Sequence, residues 1–190
     1  MSAAEPIRSR KELKSLAGYF LGRGRIRDCA MVVLGVYTGL RISDLLGLRW
    51  EDVYDSGTGR FRAHLEVTEK KTKKPRRIAL NRKAVETLRL LLRERRGEYL
   101  FSNGRKKEKP ISRVQAWRIL RDAAAELRLT GKISCHSLRK TLGYFARKTR
   151  GVTPDLLMQM YNHSSYAVTV RYLGITQDEL DRIYLSVELL

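Results

Sequence analysis

The spacing of apolar residues predicts a chain that is mostly helical. In three stretches, apolar residues recur every three or four positions, the period of a helix that packs one face on a core. These positions are Val114, Trp117, Leu120, Ala124 and Leu127 in the first stretch, Val85, Leu88 and Leu92 in the second, and Leu138, Leu142 and Phe145 in the third. We therefore expect three amphipathic helices, each with these residues on its buried face.

Residues suited to helix capping indicate where the helices begin. Ser, Thr and Asn side chains accept hydrogen bonds from the free N–H groups of a first turn, and Glu or Gln three residues later completes a capping box. A proline directly after the cap is a further start signal. The predicted starts are Ser9 with Glu12, Asn81, Ser112 with Gln115, Thr153-Pro154, and Thr176 with Glu179. The last pair predicts a C-terminal tail helix over about residues 176–190.

Between residues 51 and 80 the period changes from helical to alternating. Phe61, Ala63, Leu65 and Val67 alternate with polar residues, and a lysine-rich turn then leads to an apolar segment that ends at Leu80. This pattern predicts a small antiparallel sheet of two or three strands. The fold class is therefore α+β and mainly helical. No repeat, proline-rich linker or low-complexity segment divides the chain, so we interpret residues 1–190 as a single catalytic domain.

The charge of the chain favours a polyanionic partner. Lys and Arg number 39 against 20 Asp and Glu, which gives a formal net charge of +19. The excess lies in the first 170 residues, which carry +21, whereas the last twenty carry −2. Nucleic acid is the first expectation for such a partner, and an anionic membrane surface is the second.

The remaining composition excludes several classes of protein. The longest apolar run, residues 29–37, is far shorter than the roughly 20 residues of a membrane span. The first residues contain no apolar signal region, and Cys29 and Cys135 have no CxxC partner, so we expect neither a secreted protein nor a disulfide framework nor a zinc site. We expect a cytoplasmic protein without a metal or other cofactor.

Five short segments along the chain contain the candidate catalytic residues. Together they resemble the tyrosine recombinase (phage integrase) family, and the resemblance spans about residues 35–175. The segments are TGLRISDLLGLRW with Arg41, EKKTKKPRRIAL with Lys71, HSLRKT with His136 and Arg139, NHSS with His163, and RYLGI with Tyr172.

The resemblance implies an enzyme that cuts and rejoins DNA at specific sites, for integration or excision of a mobile element. Tyr172 would attack a phosphodiester to leave a 3′-phosphotyrosyl link and a free 5′ hydroxyl. Arg41 and Arg139 would hold the phosphate oxygens, which suits guanidinium groups because they bind two oxygens at once and keep their charge.

Three other residues would transfer protons or bind the phosphate. The resemblance implies that Lys71 protonates the leaving 5′ oxygen and that His163 hydrogen bonds to the phosphate. Since tyrosine has an ordinary pKa of about 10 and must be activated, His136 is the candidate for moving its proton. No acidic cluster or P-loop stands out in the sequence. A reaction without metal or ATP is therefore expected.

Several alternatives stay open. Lys71 aligns best with the family position, while Lys70 and Lys73 are alternatives for its role. Lys70, Lys73 and Lys74 are the predicted DNA contacts. Tyr166 and Tyr184 compete with Tyr172 as nucleophile, but neither stands in an Arg-Tyr-Leu setting after HSS. The alternative functions are relaxation of DNA by a type IB topoisomerase-like enzyme and a DNA-binding module without catalysis.

The resemblance also predicts partners and domains. Double-stranded DNA is the expected substrate, and we expect a homotetramer on paired DNA sites from a chain that can be a monomer alone. An apolar stripe in the tail, at Leu180, Ile183, Tyr184 and Val187, is expected to dock on a protein surface, either its own body or, as the resemblance implies, a neighbouring protomer. The N-terminal DNA-binding clamp domain found in most family members is expected to be absent from this chain.

Two segments depart from the family pattern, and one is the hairpin turn, which reads KTKKP where KTGK is common. Tyr161-Asn162 precedes His163, where the family usually has Leu-Gly. Asn tolerates the left-handed backbone that Gly would adopt there, so we expect the turn before His163 to be preserved.

Overall fold

The computed structural model describes residues 4–104, 109–149, 152–163 and 165–173, the last four by their backbone alone, together with residues 181 and 186. Its helices are α1 (Arg10–Leu21), α2 (Ile26–Thr38), α3 (Ile42–Leu46), α4 (Trp50–Val53), α5 (Arg82–Arg93), α6 (Arg113–Glu126), α7 (Cys135–Ala146), α8 (Pro154–Tyr161) and α9 (Tyr166–Leu173). Its strands are β1 (Tyr54–Asp55), β2 (Arg60–Phe61), β3 (His64–Thr68) and β4 (Pro75–Ala79). The mainly helical α+β class is confirmed. The predicted capping pair Thr176–Glu179 and the apolar tail stripe lie outside the described residues.

The predicted caps form at the helix starts. Ser112 and Gln115 make a complete capping box at α6, with the Ser112 hydroxyl accepting from the Gln115 N–H at 3.1 Å. Asn81 caps α5, and Thr153 caps α8 with a proline in the first turn. At α1 the box is half formed: Ser9 accepts from the Glu12 N–H, but the Glu12 carboxylate accepts from Thr130 instead.

The extended region between residues 51 and 80 forms two separate antiparallel pairs. β1 pairs with β2, and β3 pairs with β4 with Leu65 opposite Ile78. The predicted antiparallel structure is confirmed, but the alternating run from Phe61 to Val67 does not form one strand. It breaks at Arg62, whose N–H turns back to the Val53 carbonyl. Each pair is therefore a short hairpin rather than part of one three-stranded sheet.

The buried face of α6 differs from the predicted stripe. The predicted positions Val114 and Trp117 are 56% and 42% exposed, so Trp117 is not the packing residue that its spacing suggested. Close packing against α1, α3 and α7 selects the small side chains instead, and the Trp117 ring lies outside, 4.7 Å from the Arg121 guanidinium carbon. The buried residues of α6 are Ala116, Leu120 and Ala123.

The central helix of the core is α2, which packs against α1, α5 and α7. Close approach to α7 depends on Gly35, because a Cβ built there would lie 2.7 Å from Leu138 Cδ1 and 3.3 Å from Leu45 Cδ2. Gly35 thus lets α2 contact both α3 and α7. Within the described ranges, no helix combines the length and the apolar character needed to cross a membrane.

We predict that Gly35→Ala destabilises the protein. Alanine favours a helix over glycine by up to about 1 kcal/mol, but the added methyl group would displace Leu138, and such overpacking typically costs about 1–3 kcal/mol. Thermal melting should show a lower Tm. Gly18→Ala in α1 is the matched control, since a Cβ at Gly18 meets no atom within 4 Å. That variant should melt at the same or a higher temperature, and equal effects of both variants would contradict the close contact.

Candidate active site

The structure brings Arg41, Arg139 and His163 together and places the other candidate residues on adjoining elements. Arg41 lies between α2 and α3, Lys71 in the β3–β4 turn, and His136 and Arg139 on α7. His163 follows the end of α8. Tyr172 falls within α9, although its side chain is outside the described part of the chain.

The position of Arg41 follows from how α2 ends. Gly39 caps α2 in a left-handed conformation with φ 58°, which glycine adopts without strain. Leu40 is then buried in the core, and Arg41 is extended before α3 begins. This short reversal places the Arg41 side chain at the solvent-facing edge of the site, where 18% of it is exposed.

Arg139 is the most enclosed charged group of the site, with no exposed surface. One terminal nitrogen donates to the Gly39 carbonyl, and the other donates to the Tyr161 carbonyl at 2.9 Å. The guanidinium carbon also lies 4.6 Å from the centre of the Tyr161 ring. Carbonyls at the ends of α2 and α8 therefore fix the orientation of Arg139.

Glu69 joins the arginines and was not singled out from the sequence. Its carboxylate has no exposed surface, and Oε2 lies 2.7 Å from a terminal nitrogen of Arg41. Oε1 lies 3.4 Å from Arg76 and 3.5 Å from Arg139, and the Thr72 hydroxyl donates to Oε2 at 2.9 Å. One carboxylate thus contacts three cations from three different elements. A signal was present in the sequence, because Glu69 is the single acidic residue at the head of the basic run KKTKKPRR.

Two further buried residues, also missed from the sequence, hold this cluster against the core. Arg76 on β4 donates to the Thr38 carbonyl at 3.1 Å, which ties the hairpin to the end of α2. Asp44 in α3 accepts from the Lys70 N–H at 3.1 Å. The β3–β4 turn is therefore attached to the same two elements that flank Arg41.

The four lysines of the β3–β4 turn, Lys70, Lys71, Lys73 and Lys74, are all exposed. Backbone hydrogen bonds between Glu69 and Lys74, and between Lys73 and Glu69, close the turn, and Lys73 has φ 58°. The Lys70 ammonium folds over the end of α3, where a Cβ on Gly47 would lie 3.2 Å from its Nζ. This arrangement favours Lys71 over Lys70 as the lysine available to a bound molecule.

The turn before His163 keeps the left-handed backbone expected of it. Asn162 has φ 52° and ψ 36° and caps α8. Its side-chain amide donates to the Pro75 carbonyl at 3.1 Å, which links the turn to β4. The Tyr161 ring stacks on the His163 ring with centroids 5.1 Å apart. Tyr161-Asn162 therefore performs the packing and the reversal that this turn needs.

Comparison with known proteins decides the family. The model of the phage integrase family matches residues 9–179. The chain belongs to the phage integrase family. That family catalyses DNA strand cleavage and rejoining, so the resemblance inferred from the five segments and the predicted class of enzyme are confirmed.

Relatives of this chain include proteins of two lengths. It is 39% identical over 190 residues to the probable integrase/recombinase YoeC of Bacillus subtilis, and 97% of each chain is covered. It is 29% identical over 162 residues to the tyrosine recombinase XerA of Pyrococcus furiosus. That match covers 83% of this chain but 54% of XerA, so the chain spans about half of the longer recombinase.

Solved structures share the fold of this chain. A crystal structure of XerA recombinase matches with a TM-score of 0.74 and 24% identity, covering 97% of this chain and 64% of that one. The XerH site-specific recombinase bound to a palindromic difH substrate in a post-cleavage complex matches with a TM-score of 0.76 and 17% identity. That match covers 98% of this chain and 54% of XerH.

The environment of His163 keeps its imidazole neutral. Burial, and then the positive charges of Arg139 and Arg41, lower the pKa of His163 to about 4. Its Nε2 lies 3.4 Å from a terminal nitrogen of Arg139, and because arginine only donates, Nε2 accepts. The ring proton is then on Nδ1, which donates to the Thr169 hydroxyl at 3.0 Å.

His136 is neutral for the same reasons. Although His136 is an exposed residue, the surrounding protein removes part of its solvent, and the charges of Arg139, Lys140, Arg41 and Lys71 act in the same direction. Together they lower the pKa of His136 to about 4. A neutral imidazole at physiological pH can accept a proton.

In the described part of the chain, no three His, Cys, Asp or Glu side chains gather as a metal site requires.

We predict that acid destabilises the protein through His163. Its pKa is about 4 when folded and about 6.5 in an unfolded chain, so the unfolded state binds more protons between these values. The contribution of His163 to stability is therefore fully present above about pH 6.5. As the pH falls towards 4, the free energy of unfolding decreases by up to about 1.4 kcal/mol per pH unit. Denaturant unfolding at pH 7 and pH 5 measures this loss. His163→Gln should reduce the difference between the two pH values, and an unchanged difference would contradict the assignment.

Proposed function

We propose that this chain is a site-specific recombinase that cleaves and rejoins double-stranded DNA through a covalent link between Tyr172 and a 3′ phosphate. The observation that carries the proposal is the convergence of Arg41 and Arg139 on one carboxylate. Guanidinium groups that converge on a carboxylate are also arranged to bind two nonbridging oxygens of a phosphodiester. Family membership supports the same chemistry.

In this proposal the two arginines stabilise the charge of the reacting phosphate. The Tyr172 oxygen attacks phosphorus, the bond from phosphorus to the 5′ oxygen breaks, and the protein is left on the 3′ phosphate. Negative charge grows on the nonbridging oxygens during attack, and fixed cations in a site shielded from water stabilise that charge strongly. Rejoining is the reverse reaction, with a 5′ hydroxyl as the nucleophile.

Two protons must move in the cleavage step. The phenol of Tyr172 loses one proton, and His136, which is neutral at physiological pH, is the proposed acceptor. The leaving 5′ oxygen gains one proton, for which Lys71 is the proposed donor. Lys71 is exposed on the hairpin turn, and its charge acts on His136, which supports a position on the side of the site where DNA would enter. His163 is proposed to hydrogen bond to the phosphate, which requires its ring proton to move from Nδ1 to Nε2, because phosphate oxygens only accept.

Basic groups outside the site offer further contacts to DNA. A groove of about 440 Å³ extends from α3 to the start of α6, and Arg49, Lys70, Lys109 and Arg113 line it. Lys70, Lys73 and Lys74 on the adjoining turn are proposed to contact phosphates. Several structural neighbours are described as complexes with DNA, among them a lambda integrase dimer bound to a COC′ core site. Assembly of this chain into a tetramer on paired sites is part of the proposal.

We predict that binding to any DNA duplex weakens steeply with salt. Each phosphate neutralised by a lysine or arginine releases counterions, which gives a slope of roughly −0.9 per contact when the logarithm of the binding constant is plotted against the logarithm of salt concentration. Fluorescence anisotropy with a labelled duplex at a series of salt concentrations measures this slope. A slope near zero would exclude DNA as the partner of this basic surface.

We predict that Tyr172→Phe abolishes covalent attachment to DNA. The substitution removes one oxygen and keeps the ring, so folding should change little, but no phosphotyrosyl bond can form. The assay incubates the protein with a pool of labelled nicked duplexes that carry a randomised central segment, and then separates covalent adducts on a denaturing gel.

Tyr166→Phe is the matched control for this assay. Tyr166 lies in the same helix, α9, and is 46% exposed. That variant should form the adduct at the normal rate. An adduct with Tyr172→Phe would show that Tyr172 is not the nucleophile.

A further inference from the structure

The site described above is already filled by an anion that belongs to the protein. Glu69 presents both carboxylate oxygens to the arginines that the proposed function assigns to the DNA phosphate. A carboxylate and a phosphodiester offer the same pair of acceptor oxygens with similar spacing to guanidinium donors. If the phosphate binds between Arg41 and Arg139, it must approach the place that Glu69 holds.

The contacts of Arg139 show which acceptor must give way. Arg139 has no exposed surface, so a phosphate can reach it only after an existing neighbour has moved. The Gly39 and Tyr161 carbonyls belong to the ends of α2 and α8 and are held by helix backbone. Glu69, by contrast, is a side chain on a hairpin turn, and its 3.5 Å contact is longer than the 2.9 Å bond to Tyr161. The neutral His163 ring, 3.4 Å from Arg139, is also a side chain, but Glu69 carries the negative charge that a phosphate would replace, so Glu69 is the neighbour expected to leave.

The net charge of the arginine cluster also favours displacement of Glu69 by phosphate. Three arginines surround Glu69, so its single negative charge leaves the cluster with an excess of two positive charges that attracts another anion. Burial alone would raise the pKa of Glu69, but the hydrogen bonds from Arg41 and Thr72 and the charges of Arg41 and Arg139 hold that pKa below its ordinary value. Glu69 is thus ionised at neutral pH. Two anions on the same donors would repel each other, which favours exchange over simultaneous binding.

We propose that Glu69 is a built-in competitor of the DNA phosphate: it occupies the phosphate position in the DNA-free protein, and the scissile phosphate displaces it. This inference rests on the proposed function, because it assigns the phosphate to Arg41 and Arg139. The DNA-free site is then autoinhibited. Its apparent affinity for phosphate is lowered because only the molecules from which Glu69 has withdrawn can bind phosphate.

Displacement of Glu69 also affects Lys71. Both residues belong to the turn between β3 and β4, and Glu69 closes that turn through backbone hydrogen bonds to Lys73 and Lys74. The side-chain bond from Thr72 to Glu69 is a further tie within the same turn. Release of the Glu69 carboxylate from the arginines frees this turn on one side. Arrival of the phosphate thereby loosens the segment that carries the proposed proton donor, which stays tied to α2 and α3 through Arg76 and Asp44.

The test uses inorganic phosphate as the probe and Glu69→Gln as the variant. Thermal melting of the full chain is recorded during titration with phosphate, at constant ionic strength maintained with chloride. Without phosphate the variant should melt below the wild type, because buried arginines lose their counterion. Its affinity for phosphate, obtained from the dependence of Tm on concentration, should be at least tenfold higher than that of the wild type.

Asp28→Asn is the matched control. Asp28 is a buried carboxylate, 3% exposed, that pairs with Arg25 and Arg27 in a different part of the fold. Its variant should also lose stability, but its affinity for phosphate should equal that of the wild type. An equal gain in both variants would show a general effect of lost negative charge and would overturn the proposal.

A phosphate affinity of Glu69→Gln equal to or below that of the wild type would also overturn it, because Glu69 would then only anchor the arginines. If Glu69→Gln does not fold, Glu69→Asp decides: its shorter side chain keeps the charge but loses reach, and its affinity for phosphate should lie above that of the wild type. Neither measurement requires DNA cleavage. Failure of the covalent adduct with Tyr172 would contradict the proposed function, whereas an unchanged phosphate response would contradict this inference alone.

Discussion

Three arginines from three separate elements meet on the carboxylate of Glu69, and the geometry of the site depends on that cluster. A buried charge without a partner costs several kcal/mol, so the junction after α2, strand β4 and helix α7 cannot separate without exposing unpaired charge. The cluster therefore fixes Arg41 and Arg139 relative to each other before any ligand binds. Such preorganisation is what a site that stabilises a charged transition state needs.

The packing beneath the cluster makes this arrangement possible. Gly35 allows α2 to approach Leu138 on α7, one residue before Arg139, and Gly39 ends α2 so that its carbonyl can accept from that arginine. At the other end, Tyr161 packs its ring under Arg139 and donates its hydroxyl to the Arg139 carbonyl at 2.7 Å. Backbone ends and one aromatic ring thus hold the guanidinium in place. The proposed phosphate-binding groups therefore lie against the packed core, where several contacts hold them.

Local features of this chain were predictable from its sequence, and features that depend on tertiary packing were not. The caps at Ser112, Asn81 and Thr153 and the left-handed Asn162 depend on neighbouring residues alone, and the structure has them as expected. The exposed Trp117 and the division of the alternating run at Arg62 depend on which elements pack together, which helical or alternating spacing does not specify. The pairing of Glu69 with arginines 28 and 70 residues away along the chain depends on the fold in the same way.

The central claim is that Arg41 and Arg139 form a phosphate site that Glu69 fills in the absence of DNA. A crystal structure of the Tyr172→Phe protein bound to an uncleaved duplex selected from the randomised pool tests it most directly. The account predicts one phosphate with nonbridging oxygens within hydrogen-bond distance of both guanidinium groups, and the Glu69 carboxylate withdrawn from them. A structure in which Glu69 keeps its contacts with both arginines while the DNA phosphates lie elsewhere would contradict it.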